Sequence, residues 1–141
     1  MIYIDRVETK WPLRIQLPIG TNVPFYCTAS GKMYLSMLKK AHLDRYLGSV
    51  KFEQLTPSTI MDKTTIHLEI RKTREQGFAQ DNEEFMEGMV ALAVPVTDPS
   101  GRYVASLAFH GPSQRLTLDK AISQKDVLLD GANRLQNILF N

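Results

Sequence analysis

Two β-rich runs, 89–97 and 102–110, flank the tetrapeptide Asp98-Pro99-Ser100-Gly101. Proline presets φ for the second position of a turn, and aspartate and glycine suit its ends. The pattern predicts a β-hairpin, the element around which the rest of the chain must be arranged. Side chains alternate faces along each strand. In the first run Val90, Leu92, Val94 and Val96 oppose Met89, Ala91, Ala93 and Pro95. In the second, Tyr103, Ala105, Leu107 and Phe109 oppose Val104, Ser106, Ala108 and His110. If the tetrapeptide is the whole loop, Thr97 pairs with Arg102, Ala91 lies opposite Ala108, and Ala93 lies opposite Ser106. One face is then bulky and the other small. A small face on a buried sheet either receives a closely packed helix or leaves a cavity, and the hairpin alone leaves both open. A shorter loop with a bulge would change the register.

Upstream, Ile2 to Lys10 alternates apolar and polar residues and predicts a strand. Leu13 to Leu17 predicts a second short strand after Trp11-Pro12, and residues 18–24 read as a loop. Thr28 suits an N-cap for a helix running to about Leu38. A second helix is expected from about Ala41 to Leu47, stopped by Gly48. Residues 52–60 read as a linker. Asp62 caps a third helix, Lys63 to Gln76, with Ile66, Ile70 and Thr73 on one stripe and Gly77 as its C-terminal stop. Asp81, Glu83 and Glu84 form an acidic loop before the hairpin. Residues 111–117 read as a turn and connector. A last helix runs from about Asp119 or Ile122 to Phe140, with Leu128, Ala132, Leu135 and Leu139 in an amphipathic stripe. This order predicts an α+β domain, residues 1–141, with a mainly antiparallel sheet flanked by helices.

Composition narrows the function. A net charge of +2 gives no footing for nucleic acid or an anionic membrane. No run of 18 apolar residues is present, so no membrane span is expected. The first residues lack the pattern of a signal peptide, which makes the cytoplasm the default location. The single cysteine, Cys27, excludes an intrachain disulfide and a cysteine metal cluster. Gly31-Lys32 is not a phosphate-binding loop: Tyr26 stands where the motif needs glycine, and Met33 where it needs serine or threonine. His42 and His67 sit among charged neighbours and read as solvated. Asp81 and His110 would give a zinc ion at most two ligands, fewer than it takes. No cofactor is called for. The start of the first helix, by contrast, offers unpaired N–H groups and the positive end of the helix dipole, a setting that suits a carboxylate.

Several stretches resemble the IclR-type transcriptional regulators. Residues 23–32, Val-Pro-Phe-Tyr-Cys-Thr-Ala-Ser-Gly-Lys, are similar to that family's P-L-H-x-T-A-S-G-K signature. Residues 70–79, with Asp81, Glu83-Glu84 and Gly88, are similar to its R-x-x-G-Y-A-x-D-x-E-E-x-x-x-G. Residues 93–96 and Gly111-Pro112 match its A-x-P-V and S-G-P elements. The resemblance implies a GAF-like fold and the C-terminal effector-binding domain. It further implies a small-molecule effector, often a carboxylate, and self-association into a dimer or tetramer. DNA would be bound only through a winged helix-turn-helix that is absent here, together with the first helix and strand. It implies effector contacts at the backbone of Ala29 and Ser30 and at Asp81, Ala91, Ala108 and His110. Relatives often carry Cys or Ser at the last three positions, so a less polar wall is expected, with His110 as its distinctive contact. Glu83 and Glu84 are expected outside the pocket. The alternatives are an oligomerisation module with a vestigial pocket, or a GAF-like enzyme using Asp81 and His110 as an acid–base pair, for which no nucleophile motif is present.

Overall fold

The computed structural model describes residues 1–141. At its centre lies an antiparallel sheet of strand order β1–β2–β3, formed by β1 (Ala79–Asn82), β2 (Met89–Thr97) and β3 (Tyr103–Pro112). The turn is held by Asp98. Its Oδ1 accepts the N–H groups of Ser100 and Arg102 at 2.9 and 3.0 Å, and Oδ2 accepts Arg102 Nε at 2.7 Å. Gly101 takes φ +81°, which a residue with a side chain rarely adopts.

The register differs from the simple four-residue loop. Thr97 pairs with Tyr103, the ladder shifts between Val96 and Thr97, and Val96 then pairs with Ala105. Ala91 therefore lies opposite His110, and Ala93 opposite Ala108. The bulge displaces the pairing from Val96 onward by two residues, so residues 105–110 keep their expected faces, whereas Tyr103, now paired with Thr97, moves from the bulky face to the small one. The acidic loop also begins later than expected. Residues 79–82 form β1, with Asp81 paired to Ala91, because each β1 residue finds a partner on β2.

The bulky face buries Val90, Leu92, Val94 and Val96 against Ala121, Leu128 and Ala132. These last belong to α4 (Leu118–Ser123) and α5 (Lys125–Phe140). The expected single last helix is thus two, interrupted at Gln124, where φ is −96° and ψ is 5°. No glycine or proline marks that break. The small face carries α1 (Ala29–Met37), which also packs on α3 (Lys63–Gln76). Thr28 caps α1 and Asp62 caps α3, each accepting a backbone N–H, and Gly77 closes α3 with φ +79°. Between them, α2 (Lys40–Ser49) runs through Gly48 rather than stopping there. Gly48 has no neighbour that would meet a side chain, so nothing in its packing enforces an end.

The two strands predicted for residues 2–10 and 13–17 are not formed. Ile2 makes an isolated bridge to Asn22, and the Tyr3 N–H donates to the Thr21 carbonyl at 3.2 Å. Ile2, Ile4 and Val7 are exposed, and only Tyr3 of residues 2–10 is half-buried. Alternation yields a strand only where a neighbour supplies the ladder. No helix is long and apolar enough to cross a membrane.

Two residues of α1 fix its seat. A methyl group at Gly31 would collide with the Phe25 backbone and the Thr28 hydroxyl. Lys32 is 0% exposed, and its ammonium lies 2.6 Å from Glu84 Oε1 and 3.4 Å from Glu69 Oε1. Gly31→Ala should destabilise the protein by about 1–3 kcal/mol through overpacking. Lys32→Met strands the buried Glu84 carboxylate and should cost about 3–5 kcal/mol at pH 8. Urea unfolding midpoints check both; an unchanged midpoint for either variant would contradict this account of the helix.

Candidate functional site

The sheet arranges the small face in rows. Asp81, Ala91 and His110 are register partners across β1, β2 and β3, and Ala79, Ala93 and Ala108 form the adjacent row. Paired residues of an antiparallel ladder project to the same side. Over these rows sits the start of α1: Ala29 and Met33 pack with Ala79, Ala91 and Ala93 in one buried cluster, and Ala108 packs against it. Ser106, one row further, donates its hydroxyl to the Ser30 carbonyl at 3.2 Å and bonds the Tyr103 hydroxyl at 2.8 Å.

The helix start keeps open donors. The Gly31 N–H donates to Thr28 Oγ1 at 3.1 Å, and the Lys32 N–H to the Thr28 carbonyl at 2.9 Å. The N–H groups of Ala29 and Ser30 find no acceptor in the chain. Both residues are buried, so these donors are also largely shielded from water.

Asp81 is 0% exposed. Its Oδ1 accepts the Glu84 N–H at 2.8 Å and the Phe85 N–H at 3.4 Å, which folds the following loop, and no arginine pairs with it. Its Oδ2 is buried without a partner. Burial, and then the neighbouring Glu84 charge, push the Asp81 carboxyl up to about 7. Glu84, expected to lie outside the site, is buried beside it and is raised as well, chiefly by burial and against the pull of Lys32. Glu83 turns away and accepts the Gly88 N–H at 2.7 Å.

The stretch Tyr3–Leu17 lies against the His110 end of β3. A cavity of about 210 Å³ separates them, walled by Tyr3, Arg6, Arg14, Ala108, His110 and Arg115 among others. His110 Nε2 is 3.2 Å from the Ile15 carbonyl oxygen. Most of the cations at the rim are engaged. Arg6 and Arg14 pair with Glu8 at 2.6 and 3.2 Å, and the Arg115 guanidinium stacks 4.9 Å above Trp11. Ala108 belongs to both the cavity wall and the alanine cluster, so it links the open space to the ground beneath α1.

All six residues expected at the site therefore lie on or over one face of the sheet. Ala108 and His110 border the cavity; Ala29, Ser30, Asp81 and Ala91 lie behind it. The contributions of Tyr3, Ser106 and Lys32 were missed. Ser106 was findable, since it shares the small face. Tyr3 was hidden by its place in a mistaken strand, and Asp81's charge is felt at its phenol.

Enzymatic readings gain nothing. Asp81 and His110 stand on opposite sides of Ala91, two strand spacings apart, roughly 10 Å at the backbone. Burial pushes the Cys27 thiol up to about 12, which leaves it inert as a nucleophile. A second groove, about 320 Å³ between α2 and α3, is lined by Lys40, His67, Arg71 and Arg74. Lys40 and Arg71 are paired with Asp44 and Glu75, and Arg74 donates to the Ser36 and Leu38 carbonyls.

Comparison with known proteins agrees with this architecture. Residues 1–137 match the family model for the bacterial transcriptional regulator IclR C-terminal domain. The chain is 40% identical over 120 residues to the probable transcriptional regulator SauR of Cupriavidus necator, covering 85% of this chain and 48% of that protein. It thus spans about half the length of the curated relatives it matches. The Thermotoga maritima IclR crystal structure superposes with a TM-score of 0.90 at 33% identity, over 99% of this chain and 57% of that one. The inducer-binding domain of an Acinetobacter PobR double mutant, solved with 3-hydroxybenzoic acid, superposes with a TM-score of 0.82 at 29% identity, over 86% and 70%. These relatives are regulators rather than enzymes, and the α+β, GAF-like fold is theirs. This chain belongs to the IclR family of bacterial transcriptional regulators and corresponds to its C-terminal, effector-binding domain.

Proposed function

We propose that residues 1–141 act as one sensing domain for a small carboxylate. The effector's carboxylate accepts the N–H groups of Ala29 and Ser30. Its polar end meets Asp81 and His110 on either side of Ala91, and Ala108, on the cavity wall in front of Ala91, leaves room for its body. The domain self-associates as a dimer or tetramer in the cytoplasm. Effector binding favours one arrangement of that assembly and so alters how a winged helix-turn-helix outside this sequence engages DNA. The carrying observation is the pair of unpartnered donors at a buried helix start, set over a face of small residues. The PobR domain's solution with a small aromatic acid supports the class of ligand.

One observation favours a second reading, an assembly module whose pocket is closed. The contact of Ala29 and Met33 with Ala79, Ala91 and Ala93 fills most of the small face. Ligand binding decides between the two. A panel of keto acids, sugar acids and aromatic acids should contain one that raises the melting temperature. At a hundred times its dissociation constant a ligand adds about 2.7 kcal/mol, which is on the order of 5–10 °C for a chain of this size. His110→Ala should weaken that ligand about tenfold, the loss of roughly one hydrogen bond.

Ala29→Pro is a sharper probe. Proline is tolerated at the first position of a helix, and Thr28 before it already has the extended backbone that proline demands, φ −115° and ψ 147°. This variant adds two ring carbons at a buried contact with the alanine cluster and should lose some stability while remaining folded by circular dichroism. With one of the two N–H donors removed, it should bind the ligand more weakly. Silence across the panel, or a hit that survives Ala29→Pro unweakened, would overturn the proposal.

A further inference from the structure

We infer that Asp81 and Glu84 hold one proton between the two of them, carried on Asp81, beside the Lys32 ammonium, and that an effector anion enters the site together with this proton. The second half of this inference rests on the carboxylate-sensing reading given above.

The count of charges carries the argument. Lys32 Nζ is 2.6 Å from Glu84 and 3.4 Å from Glu69, and Asp81 lies within the field of both Lys32 and Glu84. Two carboxylates therefore contact one ammonium, and a third, Asp81, lies in its field without pairing to it. The other cation nearby on α3, Arg74, is spent on the carbonyls of Ser36 and Leu38. His110, in the same row on β3, stands two strand spacings away, roughly 10 Å at the backbone, and its Nε2 lies 3.2 Å from the Ile15 carbonyl oxygen. The groups nearer to Asp81 bring no positive charge. From the segment before α1 comes the Cys27 thiol, from the N-terminal stretch the Tyr3 phenol, and from β2 only Ala91. Asp81 Oδ2 and Glu84 Oε2 are both buried and without hydrogen-bond partners. Two ionised carboxylates left this way would be costly, and two acids sharing a buried site separate their titrations, one being driven up. Glu84 keeps the ammonium. Asp81 keeps the proton, in agreement with its rise to about 7. The two titrate as a coupled pair.

The consequence for binding has a definite sign. An anion seated on the Ala29 and Ser30 N–H groups is repelled by ionised Asp81 and tolerated by its acid form. Affinity is then level below the pair's midpoint. It falls by up to about tenfold per pH unit above it, with uptake of up to one proton on binding. The free protein carries the same mark. Its raised carboxyl makes stability fall as pH rises from the ordinary aspartate range through about 7, since the folded state binds the extra proton.

The test has two arms. Carbon-13 NMR titration of the side-chain carboxyls in the ligand-free chain should find one carboxyl with a midpoint near pH 7, lost in Asp81→Asn. If every carboxyl titrates below about pH 5, the shared proton is overturned. Calorimetry of pyruvate and 3-hydroxybenzoate, from pH 6 to 8.5 in buffers of different ionisation heat, reads the coupling. The expected result is proton uptake and an affinity that declines above pH 7, with the slope removed in Asp81→Asn, whose amide imitates the neutral acid. Affinity that rises with pH would overturn the coupling and make ionised Asp81 an acceptor for an N–H or O–H donor on the ligand. If neither acid binds while the carboxyl still titrates near pH 7, the shared proton stands, and the carboxylate-sensing reading falls for these two acids together with the coupling to them.

Discussion

A helix can set its N-terminus directly on a β-sheet only where the side chains beneath it are short. Here those side chains are Ala79, Ala91, Ala93 and Ala108, and the helix brings Ala29 against them. The absence of a side chain at Gly31 permits the close passage of α1 by Phe25. Any larger residue in these places would lift the helix and carry its free N–H groups away from the cavity at the end of β3. The same closeness excludes water. It makes each unpaired polar group here costlier than it would be at the surface, and correspondingly stronger towards a suitable ligand.

Burial of α1 also explains the ionic arrangement behind it. A helix sunk to this depth carries Lys32 into the interior, where its ammonium needs partners. Glu84 and Glu69 supply them from the loop after β1 and from α3. Asp81 shapes that loop by accepting the Glu84 and Phe85 N–H groups, so the residue facing the site also holds the lysine's partner in place. The proposed ligand contact and the anchoring of α1 thus meet in the short segment 81–85. A change in the charge of Asp81 is felt by the element that offers the anion donors.

Much of this was legible in the sequence because it depends on local chemistry. Thr28, Asp62 and Gly77 announce helix ends, and Asp98-Pro99-Ser100-Gly101 announces the hairpin. Beyond the bulge, which turns Tyr103 to the small face, the division into bulky and small faces survived an error in register because the pairing was displaced by an even number of residues. What failed depended on distant partners. The alternation of residues 2–17 could not show that no neighbouring strand would receive it. The polar sequence Ala79–Asn82 gave no sign that β2 would take it as an edge strand. Nor does a lysine in a helix, or a glutamate in an acidic loop, reveal that the two meet in the interior, since only the tertiary fold brings positions 32 and 84 together. The resemblance to a known family, and not the spacing of residues, supplied the candidate site residues.

The central claim is that the first turn of α1 holds the effector's carboxylate. Amide chemical-shift mapping tests it most directly, by adding an acid that stabilises the protein to the nitrogen-15-labelled chain. The account predicts that the Ala29 and Ser30 amides move most, followed by those of Asp81, Ala91, Ala108 and His110, while residues of the α2–α3 groove stay still. Shifts centred on Lys40, Arg71 and Arg74, with Ala29 and Ser30 unmoved, would contradict it.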